Sequence, residues 1–380
     1  MTRDRSIDAV RAVAIVGVVG GHWLVTGLVT GDGGAWRQAS PLTSMPGFVP
    51  VSWLLQTLGL FFFAGGFAAA ASGRPPNLRK LAVPVALLLG GWALVLVVAS
   101  LLGMPAGTRH TIIMLVVSPL WFLLPYLALT FATGPLSRVV DRAGPFALTA
   151  PAVVVVALSD AGLLPGWTAI VAAWSVPWVL GVTLARRGRR ALSATGLLAG
   201  GALALAVLVL VLGYPASAVG VPGDGRSNLS PPSLFAVALG AAQIGVFLLI
   251  RDAIRFDRTH PVVASLNRAA LPIYLIHQSV FVVVVAGAAA ISPRPVPGLL
   301  TAPSGPQWIF ARMAWLPFLA LTLTALIAVS WRTTRSPGLL KLSLRGKLLH
   351  GPNDELRPTE VIAVRDSDPP SRGRAARQRL

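Results

Sequence analysis

Ten runs of about twenty apolar residues, joined by short polar or basic connections, leave this 380-residue chain few folds to choose from. As a helix rising 1.5 Å per residue, such a run spans roughly the 30 Å of a bilayer's hydrocarbon core. The runs lie at 8–29, 50–72, 81–102, 112–133, 146–159, 166–185, 191–213, 233–250, 269–291 and 308–331. The fifth is the shortest and opens on Gly144-Pro145. None alternates with period two, so helices are expected rather than the strands of a membrane barrel. Composition agrees, with 54% hydrophobic residues, 12% charged and a mean hydropathy of +0.72. The fold class is therefore all-α, a polytopic transmembrane helical bundle of about ten spanning helices. Pro84, Pro125, Pro177, Pro272 and Pro317 fall inside spans, as in bundles with kinks and cavities.

The net charge of +19 invites a nucleic-acid partner, but the distribution of the basic residues excludes one and marks topology instead. With the N-terminus inside, 26 of the 32 Lys and Arg residues fall on the inner face. Only Arg37, Arg109, Arg226 and Arg294 fall in outer loops, and Arg11 and Arg312 within spans. That asymmetry obeys the positive-inside rule and places both termini in the cytoplasm. Residues 1–331 form the membrane domain, and 332–380 a basic, largely disordered cytoplasmic tail. In the tail Leu340, Leu344 and Leu348 share a helical face beside Lys341, Arg345 and Lys347. This suits a short amphipathic helix on an anionic leaflet, or an ordinary basic flank. The first span is not read as a cleaved signal, because Asp8 and Arg11 interrupt its start and it exceeds a signal core in length. The absence of cysteine excludes disulfides and thiolate chemistry, and neither a Gly-rich phosphate loop nor a His/carboxylate cluster is present, so no metal or cofactor is expected.

Against this apolar background Arg11 and His22 stand out, eleven residues apart in the first span. Eleven steps of 100° return a helix to within about 20° of its starting direction, so both side chains share a face, about 16 Å apart along the axis. Asp8 lies one turn before Arg11, where it can neutralise the guanidinium. An ionisable group inside a span marks a functional site by default. The competing reading is that Arg11 snorkels to the interface and His22 is a hydrogen-bonded interior histidine. Arg312, beside Trp308 and Trp315 at the outer end of the last span, is read as snorkelling.

Five stretches then carry a family resemblance. Asp8-x-x-Arg11 followed by His22, an Arg-x10-His spacing, resembles the first helix of the bacterial membrane acyltransferase-3 family. Leu60 to Phe67, with Phe61-Phe62-Phe63 and Gly65-Gly66, is similar to its Phe-rich second helix, and Leu78-Arg79-Lys80-Leu81 to the base of its third. Leu120-Trp121-Phe122-Leu123 resembles the Trp-Phe segment of the fourth, and Tyr274-x-x-His277 the penultimate helix. The stretches come in family order across the whole chain. Two departures are visible: Asn77-x-x-Lys80 stands where many members have Arg-x-x-Arg, and Ala270 where Ser is frequent.

The resemblance implies transfer of an acyl group, acetyl or another short one, from a cytoplasmic acyl-CoA co-substrate to a hydroxyl of a carbohydrate, another envelope component or a secondary metabolite. It also implies a multi-pass protein of the bacterial cytoplasmic membrane and a stand-alone transferase. A general base is then needed, and His22 is the side chain suited to that work near neutral pH. Arg11 is too distant to serve the same atom, so with Arg79 and Lys80 it is assigned to the anionic end of the donor. Tyr274 and His277, about one turn apart, either orient His22, bind the carbonyl oxygen of the acyl group, line the channel, or satisfy one another or a backbone carbonyl in the core. Trp121 joins the channel or simply packs. The alternative function is a secondary transporter with an Arg/His relay, although no matching pair of interrupted helices in two halves is evident.

Overall fold

The computed structural model describes residues 4–73, 76–221, 223, 225–253 and 260–335, with side chains through residue 329. Of the two units into which the chain divides, residues 1–330 carry all that follows, and of 331–380 only the end of the last helix is described. The expected tail helix through Leu340, Leu344 and Leu348 lies outside the described residues.

The chain opens with α1 (Arg5–Val25), capped by Asp4, which accepts from Ser6 N at 3.0 Å and Ser6 Oγ at 2.6 Å. An antiparallel hairpin follows, β1 (Gly27–Thr30) and β2 (Trp36–Ala39), turning through Gly33 and Gly34 at φ 67° and 75°. Next come α2 (Pro41–Ser44), α3 (Val49–Leu55), α4 (Leu58–Ser72), α5 (Leu78–Leu101) and α6 (Ala106–Val117). A 3₁₀ turn over Ser118–Phe122 leads into α7 (Leu123–Ala143). Then follow α8 (Phe146–Asp160), α9 (Gly166–Arg187), α10 (Ala194–Leu210), α11 (Leu234–Ala253), the short α12 (Pro261–Arg268), α13 (Ala270–Ile291) and α14 (Pro306–Arg335). Among the described residues nine helical segments are long and apolar enough to cross a membrane, and α8 is a shorter apolar helix of 15 residues. The chain is a polytopic helical bundle, as its apolar runs predict.

Side-chain bonds sort the helix ends into two sets. At one end Arg251 donates to Asp4 at 3.0 Å and Ser6 at 2.9 Å, tying α11 to the start of α1. Arg186 pairs with Asp141 at 2.5 Å and Arg189 with Asp252 at 2.5 Å, adding the ends of α7 and α9. At the other end Asp160 accepts from Tyr214 Oη and Leu234 N, each at 2.8 Å. Loss of hydration on burial, together with that hydrogen bond, pushes the Tyr214 phenol up to about 12. The short α8 starts beside the Asp141 end and finishes at Asp160, so its 15 residues, about 22 Å at 1.5 Å per residue, carry the chain from one end to the other. Cysteine scanning tests this course on a chain with no background thiol. Arg142→Cys and Arg190→Cys are expected to resist a membrane-impermeant maleimide in intact cells, and Asp32→Cys and Leu163→Cys to react. Equal reactivity at positions 142 and 163 would show that α8 does not cross.

Two spans expected to be continuous are interrupted. Helix breaks place α3 before α4 at Gln56-Thr57, and the 3₁₀ turn between α6 and α7. Non-helical backbone at membrane depth persists where other protein groups satisfy it. Here Gln243 Nε2 donates to the carbonyls of Trp53 (2.9 Å) and Gln56 (3.0 Å), and Thr57 Oγ1 donates to Ala14 O at 2.9 Å. Both breaks lie within the first 143 residues, not at matching positions of two halves. The tightest seam joins α4 to α9, where a Cβ on Gly66 would lie 2.2 Å from Trp178 O and one on Gly181 2.0 Å from Phe63 O. Small residues of this kind let helix backbones meet where lipid supplies no hydrophobic drive.

Candidate active site

The two breaks, the end of α1, the hairpin and α13 enclose a cavity of about 260 Å³ at the end of the bundle opposite the Arg251–Asp4 contacts. Gln38, Ser40, Gln56 and Ser118 bring neutral polar groups to its wall, and among the described residues no Asp, Glu, Lys or Arg lines it. The hairpin is fixed over the cavity by α6: Thr108 Oγ1 accepts from Trp36 N at 2.9 Å, and Thr111 Oγ1 donates to Trp36 O at 2.8 Å.

His22 lines this cavity, one turn before α1 ends. Its Nδ1 lies 3.1 Å from Nε2 of Gln278 on α13, and among the described residues this is the ring's hydrogen-bond contact. The His277 ring centroid is 5.1 Å from that of His22 at 51°. His277 is fully buried, its Nδ1 2.7 Å from the carbonyl of Tyr274 and its Nε2 unpartnered. His277 thus meets a backbone carbonyl, one of the arrangements left open for it, and its ring is also set against His22. Tyr274 lines the cavity and packs edge-on to Phe122 at 4.1 Å between centroids. Trp121, 37% exposed, likewise lines the cavity, and its ring also packs against Trp174 at 6.2 Å between centroids.

Below the cavity, a slot of about 10 Å³ between Ile15, Val18, Phe61, Phe122 and Tyr274 continues along α1. Arg11, Ile15, Val18 and His22 form one stripe of that helix, spaced by four, three and four residues. The half-buried Arg11 ends the stripe, within electrostatic reach of Tyr126. Asp8, one turn away, gives its backbone carbonyl to Asn267 Nδ2 at 2.8 Å. Arg79 and Lys80 sit exposed in the first turn of α5, which Asn77 caps, and no described hydrogen bond or ion pair ties them to α1. The site thus gathers His22, His277, Tyr274 and Trp121, and leaves Arg11, Asp8, Arg79 and Lys80 away from the cavity.

Arg312 corrects its expected snorkelling. It is fully buried, donates from Nη2 to Thr26 O at 2.8 Å, and lies over the rings of Phe281 (4.7 Å) and Trp308 (4.8 Å). The carbonyl past the end of α1 and two π-faces hold the cation inside the protein. Gln278 and Gln56 were not singled out from sequence, though both are carboxamides in apolar runs, where a polar side chain requires a partner.

Fold and site define a polytopic membrane protein with an imidazole at the floor of a neutral cavity. Residues 4–333 match the family model described as an acyltransferase domain, and the chain belongs to the acyltransferase-3 family. Comparison with curated proteins and with solved structures gives no match. Membership supports membrane acyltransferase activity and implies an acyl donor and an acceptor.

Proposed function

We propose that the protein moves an acetyl or other short acyl group from a cytoplasmic acyl-CoA to a hydroxyl of a carbohydrate, envelope or small-molecule acceptor, in a bacterial inner membrane. The observation that carries this reading is His22 on the cavity wall with one ring nitrogen held by Gln278 and the other without a hydrogen-bond partner among the described residues. The acceptor hydroxyl loses its proton to His22 as its oxygen attacks the thioester carbonyl. The C–O bond forms, the C–S bond breaks, and the imidazolium returns the proton to the departing CoA sulfur. A cavity wall free of described charged side chains suits an uncharged hydroxyl-bearing group. The donor's anionic end is assigned to Arg11, Arg79 and Lys80, and its acyl arm to the stripe from Arg11 to His22. Passage of that arm requires Phe61, Phe122 and Tyr274 to move apart, since the slot holds about 10 Å³ at rest. Purified full-length protein in nanodiscs is expected to release CoA from acetyl-CoA only when an acceptor from a panel of sugars and hydroxylated metabolites is added, with the ester seen by mass spectrometry. Solute uptake into proteoliposomes without CoA release would favour the transporter instead.

Donor binding separates from chemistry in this scheme. Arg11→Gln is expected to raise donor KM by roughly 10- to 100-fold, the worth of a charge-assisted contact, and to flatten its dependence on salt. Unchanged KM would remove Arg11 from the donor site.

A further inference from the structure

We propose that Gln278 is the positioning residue of His22, its side-chain oxygen accepting the Nδ1–H so that the bare Nε2 faces the acceptor. This rests on the reading of His22 as general base. Two rungs join α1 to α13 at this level: Trp23 Nε1 donates to His277 O at 3.1 Å, and the adjacent residue on each helix, His22 before Trp23 and Gln278 after His277, forms the second contact at 3.1 Å. The amide is therefore delivered to the ring by two fixed backbones, and it is the only described hydrogen-bonding partner of the ring.

A carboxamide has two faces for an imidazole, related by a half-turn about its last bond. With its NH₂ toward Nδ1, as it stands in this structure, the ring proton sits on Nε2 and His22 offers the cavity a donor, useless as a base; the half-turn only exchanges which end of the amide, Oε1 or NH₂, is buried without a described partner. With its oxygen toward Nδ1, the proton sits there and Nε2 carries the lone pair. Base catalysis requires the second arrangement. No other described neighbour is hydrogen-bonded to the ring. His277 gives its Nδ1 proton to Tyr274 O, and its Nε2, left as an acceptor, makes no hydrogen bond to His22 or to any other described residue. Tyr274 is the other titratable group that faces His22, from α13, and the described cavity walls from α3, α4, the 118–122 turn and β2 bring no charge.

The test is ¹⁵N NMR of histidine-labelled full-length protein in nanodiscs, with His22 assigned by the loss of its signals in His22→Gln. Wild type is expected to show His22 protonated at Nδ1 and bare at Nε2 at neutral pH. Gln278→Met is expected to shift the proton toward Nε2 and lower kcat by about 10-fold or more, with donor KM unchanged. Gln278→Glu, an obligate acceptor, is expected to keep the Nδ1–H form, recover much of kcat and move the acidic limb of the pH profile upward. An Nε2–H tautomer in wild type, or His22 signals that do not move in Gln278→Met, would overturn the proposal. If the tautomer shifts in Gln278→Met while His22→Gln still transfers acyl groups, the positioning contact stands and the base assignment fails.

Discussion

His22→Gln is expected to reduce acyl transfer by roughly 10²- to 10⁴-fold, the usual cost of losing a general base, while leaving the protein inserted and able to bind donor. Glutamine is close to histidine in reach and keeps a polar group against Gln278 and the cavity, so packing on α13 changes little. The loss should fall on kcat, because the ring takes up a proton only as the acceptor oxygen attacks. Donor binding measured by titration of a non-hydrolysable acyl-CoA analogue should match wild type. A decrease of two- or three-fold in kcat would instead assign His22 to packing and send the search for a base to Tyr274 or His277.

The largest structural effect is expected at the α4–α9 seam. Gly181→Val places a Cβ 2.0 Å from Phe63 O and 2.8 Å from Phe67 N, and both neighbours are backbone that cannot rotate away. Overpacking by side chains alone costs about 1–3 kcal/mol, and a clash with backbone on a neighbouring helix should reach the upper end or beyond. The variant should be largely lost from the monodisperse fraction in detergent and melt well below wild type. Gly200→Val, on an exposed face of α10 with nothing within 4 Å, carries the same change in helix propensity without the clash. Matching melting curves for the two variants would show that the seam yields.

What could be read from sequence follows how local each signal is. Twenty apolar residues in a row state their own environment, so the bundle is visible without any knowledge of neighbours. His22 and His277 were visible for the same reason, as polar interruptions of such runs. The hairpin was hidden because Leu28 and Val29 extend the apolar count of the first span, whereas Thr26, Gly33 and Gly34 turn the chain into strands. The break at Gln56-Thr57 depends on a carboxamide at position 243, far along the chain, and no hydropathy window contains both. Gln278 is similar: its contact with His22 is set by the register of α13 on α1, a property of the pair of helices. Arg312 misled because its flanking tryptophans suggest an interface, and one of them, Trp308, instead supplies a face for the buried cation.

At about 10 Å³ the slot between Ile15, Phe61 and Tyr274 has room for little more than one water-sized sphere. The slot itself holds no file of water, so at rest the level of α1 between Val18 and Ile15 is closed to one. Under the proposed function, the donor's thioester would also be shielded from stray hydrolysis until Phe61, Phe122 and Tyr274 part, coupling the opening of the barrier to the arrival of the donor itself.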